Sequence, residues 1–207
     1  MRKIWNFIID FIKKNREIIV PSATLLVICL VATLLLGVTN FFTSDLITKL
    51  EQETQTAAMQ EVLPAEGYIK TEGKEIYTAE KNGAVAGYIF VTSGAGYGGD
   101  IKVMTAVDPA GKILAVSILS ASDETPGLGQ NVTKEGFYSQ FLGLSSEITV
   151  VKNGANAEVN EINAVTGATI SSRAVTKAVN EALTLYSDNF GDAAVSVVSE
   201  QEGTENE

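Results

Sequence analysis

The chain has 207 residues, 45% of them apolar, and a formal net charge of −10, which gives length for one ordinary domain with an appendage and enough apolar content for a core. The charge is divided: the first 44 residues carry a net +3 and the remainder −13, so the body has no basic face for a phosphate backbone, and nucleic acid is excluded as a partner. There is no histidine and a single cysteine, Cys29, which excludes a disulfide, a Cys- or His-based metal centre, a histidine-ligated haem and a Ser-His-Asp triad within the chain.

No metal site is expected, and any redox chemistry must use an organic cofactor.

In chain order, the first feature is a stretch without charge between Glu17 and Asp45, IIVPSATLLVICLVATLLLGVTNFF, longer than the ~20 apolar residues that a spanning helix needs. Residues 18–42 are read as a transmembrane anchor. The run is too long for a signal peptide and leads into LLLGVTNFFTSD rather than a small-x-small cleavage site. Arg2, Lys3, Lys13, Lys14 and Arg16 precede it, so residues 1–17 are expected in the cytoplasm and the body outside, a single-pass protein of the cytoplasmic membrane. Residues 43–65, which include DLITKLEQETQTAAMQ, have helical composition with a thin apolar stripe, as a stalk or a first helix does.

The period then changes. EIYTAE and AVAGYIFVTS flank KNG, and IKVMTAV and KILAVSIL flank DPAG; both read as hairpins, and together as an antiparallel sheet. Between them SGAGYGGD contains the pattern G-x-G-x-x-G, but its sequel alternates like a strand, so it predicts a glycine-rich loop between strands rather than a dinucleotide site. The loop SASDETPGLGQN carries a Pro126-Gly127 turn pair, with Gly127 expected at positive φ, and an exposed Leu128 suited to lie against an aromatic ring.

VTKEGFYSQFL is expected to form a short amphipathic helix and SEITVVK a strand. From Ser171 to Tyr186 the residues Ala174, Val175, Ala178, Val179, Ala182, Leu183 and Tyr186 make a helical stripe. The acidic segment 191–207, with no cation to pair its carboxylates, is expected to be disordered.

AVTGATISSRAV opens that last helix with Thr166, Gly167, Ala168, Thr169, Ser171 and Ser172. The first turn of a helix offers unpaired N–H groups and the positive end of its dipole, a natural seat for an anion. One hydroxyl suffices for capping; four exceed that need, and they read as ligands for a phosphate.

The order of GYGGDI, ETPGLG with FYSQFLG, and NAVTGATISSRAV resembles the FMN-binding domain of membrane-bound flavoproteins, and among these the G subunits of the Rnf electron-transport complex. The resemblance covers roughly residues 45–190 and the anchor. It implies an α+β fold, one N-terminal transmembrane helix followed by an FMN-binding domain over 66–190 with an antiparallel sheet and packed helices. It further implies FMN joined to Thr169 by a phosphoester, making the chain a phosphoprotein, with Thr166, Gly167 and Ala168 in the sequence that a flavin transferase reads. Glu124, Thr125 and Leu128 would line the flavin, with Tyr97 on the same wall.

Two positions depart from the family pattern. Asn163 stands where many members have an acidic residue, and Asp123 where many have histidine.

The function implied is that of an electron relay: a redox subunit that turns over no substrate of its own, inside a complex that couples electron transfer between ferredoxin and NAD to translocation of sodium ions or protons. Its partners would be the other membrane subunits. Two alternatives are the C subunit of the sodium-pumping NADH:quinone oxidoreductase and, in another class, an anchored binding or sensor module without a redox role.

Overall fold

The computed structural model describes residues 16–202, with side chains described for residues 16–44 and 46–191. The expected cytoplasmic segment 1–17 therefore lies almost wholly outside the described residues. The chain divides into two compact units, 1–52 and 53–207.

In the first unit the described residues belong to helix α1 (Arg16–Val62), whose portion Arg16–Ser44 is long and apolar enough to cross a membrane. Its hydroxyls do not stay unsatisfied: Ser22, Thr24, Thr33 and Thr39 each donate to the carbonyl four residues back, at 2.8–2.9 Å.

The second unit begins inside the stretch expected to be a stalk, and the end of α1 is part of its core. A five-stranded antiparallel sheet runs in the order β1 (Gly67–Lys70), β2 (Ile76–Lys81), β3 (Ala84–Ala95), β4 (Asp100–Val107) and β5 (Ile113–Ser120). Both expected hairpins are present. In the first, Asn82 and Gly83 take φ of 54° and 76° between the paired Lys81 and Ala84, the two-residue turn whose twist suits a hairpin. In the second, Asp108 Oδ1 accepts from the N–H groups of Ala110 and Lys112, both at 2.8 Å.

Alternation along the strands gives the sheet two buried faces. Ala58, Met59, Val62 and Leu63 cover the first, against Ala79, Ile89, Met104 and Ala106. The long helix α3 (Thr169–Glu202) covers the second: its Ala174, Val175, Ala178, Val179 and Ala182 pack on Phe90, Ile101, Val103 and Val107. Helix and sheet come unusually close at Gly94, where a Cβ would lie 2.0 Å from the Ala174 carbonyl oxygen.

Beside this contact the buried Thr92 hydroxyl donates to the Ala178 carbonyl at 2.8 Å. Thr92→Val should cost about 1 kcal/mol, the net worth of one such bond, read as a lower urea midpoint.

Three expectations need correction. The stretch 132–142 is not one amphipathic helix but a four-residue α2 (Glu135–Tyr138) between two 3-10 turns. Lys134 is extended at φ −83°, ψ 141°, which interrupts the run, although Phe137 and Phe141 still reach the core. The strand over SEITVVK is short, β6 (Thr149–Val151), and pairs in parallel with a strand not anticipated, β7 (Glu161–Asn163). Helix α3 starts at Thr169, two residues earlier than expected, and continues to Glu202 through most of the segment read as a disordered tail. Once a helix is nucleated and packed, adding residues costs little, and residues 192–202 include Ala193, Ala194 and no proline. Residues 203–207 lie outside the described ones.

Candidate functional site

Three loops meet at the start of α3: the hairpin tip 96–99, the turn 124–129 and the approach 165–171. The hairpin tip is closed by Gly96 N–H donating to Gly99 C=O at 2.9 Å, so the glycine-rich pattern joins two strands, as expected, and opens no helix. Leu128 N–H donates to Thr125 C=O at 3.2 Å with Gly127 at φ 76°, the expected type II geometry. Ala168 N–H donates to Val165 C=O at 2.9 Å with Gly167 at φ 78°, a second turn of the same kind. The two turns touch: Leu128 Cδ2 lies 3.1 Å from where a Cβ on Gly167 would be.

Glu124 ties the loops together. It is 2% exposed, and its Oε1 accepts from Tyr97 N–H at 2.7 Å and Gly98 N–H at 3.2 Å. Its Oε2 accepts from the Ser171 hydroxyl at 2.6 Å. The neighbouring glycines make room for this carboxylate, since a Cβ at Gly96 or at Gly129 would stand 2.1 Å from one of its oxygens.

Burial works to raise the Glu124 pKa, but hydrogen bonds from Ser171, Gly98 and Tyr97 outweigh it and hold the carboxyl below its usual range. A lowered folded-state pKa means that the anion stabilises the fold above the ordinary glutamate value, and that this contribution is lost as pH falls through the folded value. Wild-type protein should therefore lose urea resistance on acidification below about pH 4. Glu124→Gln should be weaker at neutral pH yet flatter through the acid range.

The hydroxyls at the start of α3 separate into two groups. Ser171 serves Glu124; Ser172, fully buried, accepts from Val165 N–H and donates to Ala168 C=O, both at 2.9 Å. The sequence reads both as phosphate ligands, and the fold spends both on internal bonds. Thr166 is exposed and Thr169 half-buried, and neither hydroxyl has a hydrogen-bond partner among the described residues. The first backbone bond of the turn is Ser172 N–H to Ala168 C=O at 2.9 Å, which leaves the N–H groups of Thr169, Ile170 and Ser171 without a backbone acceptor among the described residues.

Of the other expected residues, Thr125 is exposed, Ala168 is buried and Gly167 is exposed. Tyr97 and Leu128 project apolar surface, 73% and 47% exposed. Ile170, 55% exposed beside Thr169, completes this surface and was not anticipated; the signal for it is a large apolar residue off the buried stripe of α3. Asn163 accepts from Ala155 N–H through Oδ1 at 3.1 Å and donates its own N–H to Gln140 Oε1 at 2.8 Å. Gln140, Asn163 and Phe137 also line a cavity of about 410 Å³ beside the approach to α3.

Residues 96–184, from the hairpin tip through most of the buried stripe of α3, match the FMN-binding domain family. Among curated proteins, the chain is 34% identical over 174 residues to the G subunit of the proton-translocating ferredoxin:NAD(+) oxidoreductase complex of Clostridium ljungdahlii, covering 83% of this chain and 92% of that one. It is 36% identical over 185 residues to the G subunit of the Na(+)-translocating ferredoxin:NAD(+) oxidoreductase complex of Acetobacterium woodii, covering 78% and 88%. Among solved structures, Shewanella oneidensis NqrC shares the fold, with a TM-score of 0.51 at 20% identity, over 66% of this chain and 73% of that one.

Proposed function

The chain belongs to the family of G subunits of Rnf-type ion-translocating ferredoxin:NAD(+) oxidoreductase complexes, and from that premise we propose that it is the complex's membrane-anchored electron relay, carrying FMN as a phosphoester on Thr169. The observation that carries this reading is the free hydroxyl. Of Thr169, Ser171, Ser172 and Thr176 on the first two turns of α3, only Thr169 keeps its hydroxyl uncommitted among the described residues. It sits where free N–H groups and the helix dipole favour a phosphate.

Bound FMN supplies redox chemistry that no side chain of this chain can perform. The protein's own residues do the rest. Thr169 provides the attachment oxygen, and the N–H groups of the first turn stabilise the phosphate charge. Gly167 and Ala168 keep bulk away from it. Tyr97, Leu128 and Ile170 offer apolar surface against which a planar ring can shed water, and Glu124 holds their loops in place. Thr166, exposed at the tip of its turn, is available to the flavin transferase that would attach the group.

The anchor would span the cytoplasmic membrane with the N-terminus inside, following the positive residues before it, and the domain would meet the other membrane subunits outside. Coupling is to sodium ions or protons. The rival reading, a C subunit of the sodium-pumping NADH:quinone oxidoreductase, is supported by a shared fold alone, whereas the G subunits match over most of their length.

Co-expression with a flavin transferase tests the linkage. The protein band on a denaturing gel should fluoresce, and its mass should increase by FMN less one water. A band that stays dark, while the same transferase labels a known substrate, overturns the covalent reading.

A further inference from the structure

We propose that Glu124 is a positioning residue for attachment at Thr169: it does not touch the flavin, but locks the first turn of α3 to the glycine hairpin and so presents the Thr169 hydroxyl. The inference rests on the covalent reading above. It also departs from the expectation that Glu124 lines the flavin.

Three observations carry it. The carboxylate is 2% exposed although Ser122, Asp123 and Thr125 to Leu128 around it are all exposed; the chain dips inward at this one residue. Both oxygens are engaged inside the fold, Oε1 by the N–H groups of Tyr97 and Gly98 and Oε2 by the Ser171 hydroxyl at 2.6 Å. No hydrogen bond joins either oxygen to the Thr169 hydroxyl among the described residues, so the fold does not place Glu124 as its general base. Finally, the carboxylate is closely packed by both loops: a Cβ on Gly96 or Gly129 would approach it to 2.1 Å.

A buried carboxylate without a cation is costly. Among the described residues the ion pair present is Lys70–Glu75, remote in the fold on the β1–β2 hairpin. The cost is offset by three donors from two segments, and the result is a rigid link from β3–β4 to α3. Ser171 lies two residues after Thr169 on the same helical turn, so fixing Ser171 fixes the direction of the Thr169 side chain.

The test compares Glu124→Ala, Glu124→Gln and Ser171→Ala in the full chain at neutral pH. Glutamine keeps an acceptor for Tyr97 and Gly98 and an amide that the Ser171 hydroxyl can accept from, so it should label at close to the wild-type rate. Alanine breaks both links. With the Thr166–Thr169 sequence intact, the transferase should still bind, so KM should hold while kcat falls by about 100-fold, the penalty of a roughly 1 Å misplacement. Ser171→Ala should fall between. Amide hydrogen exchange without flavin supplies an independent readout: in Glu124→Ala, residues 96–98 and the first hydrogen-bonded amides of α3, Ser172 and Arg173, should exchange faster while the sheet stays protected.

Glu124→Ala labelled at the wild-type rate, or unchanged exchange at the start of α3, overturns the proposal. Loss of labelling in Glu124→Gln as severe as in Glu124→Ala overturns it too, because it would mean that the charge and not the link matters. A wild-type protein that takes no label fails the covalent reading instead, and the exchange comparison still decides whether Glu124 links the two segments.

Discussion

Thr169→Val should abolish covalent flavin while leaving the apo fold intact. Valine keeps the volume and the branched Cβ of threonine and removes one hydroxyl. That hydroxyl has no partner among the described residues, so its loss orphans no donor or acceptor, and the urea midpoint should move by no more than about 0.5 kcal/mol in stability terms. Labelling, by contrast, should fall from complete to none, read by in-gel fluorescence and intact mass. Thr169→Ser retains the nucleophilic oxygen and should still label.

Neighbouring hydroxyls should behave differently. Thr166→Val can weaken recognition by the transferase but leaves the attachment atom in place. Ser172→Ala should destabilise without touching the chemistry, because it strips Val165 N–H of its acceptor. A Thr169→Val protein that still carries FMN would move the attachment to another residue and overturn the assignment.

Gly94→Val should be among the most destabilising single substitutions in the domain. A Cβ there meets the Ala174 carbonyl oxygen at 2.0 Å, its carbon at 2.7 Å and Ala174 Cα at 3.1 Å. These are backbone atoms of a packed helix and cannot rotate away. To admit the side chain, α3 must lift from β3, breaking the bond from Thr92 to Ala178 and loosening Phe90 from Val175 and Ala178 in the shared core. The cost should be about 3 kcal/mol or more, a large part of the roughly 5–15 kcal/mol that holds a typical domain together.

Urea denaturation would read it as a lower midpoint at unchanged slope. Flavin attachment should fail in parallel, because lifting the start of α3 separates Ser171 from Glu124. A Gly94→Val protein of wild-type midpoint would show that helix and strand can part here at little cost.

Much of this architecture was legible in the residues. The charge-free run predicted a helix long and apolar enough to cross a membrane, the turn pairs predicted both hairpins, and the apolar stripe predicted α3. Strands β1 and β7 were missed because GYIK and EIN are too short to show a period. The two groups of hydroxyls are not told apart in a composition, where serine and threonine look alike. The distinguishing signal was nonetheless present. Carrying the stripe of Val175 and Val179 back by one turn puts Ser171 and Ser172 on the buried face and Thr169 off it. Glu124 was less accessible to such reasoning, since its burial depends on Gly96, Gly129 and Ser171, brought together only by the fold.

The self-satisfied hydroxyls of α1 bear on the order in which the protein is assembled. Ser22, Thr24, Thr33 and Thr39 return their protons to their own helix, so a bilayer around it would meet a surface with little unmet hydrogen bonding. Such a helix can insert alone and stay inserted. Meeting its neighbours is then a later and separable event, governed by side-chain shape rather than by polar groups in search of partners.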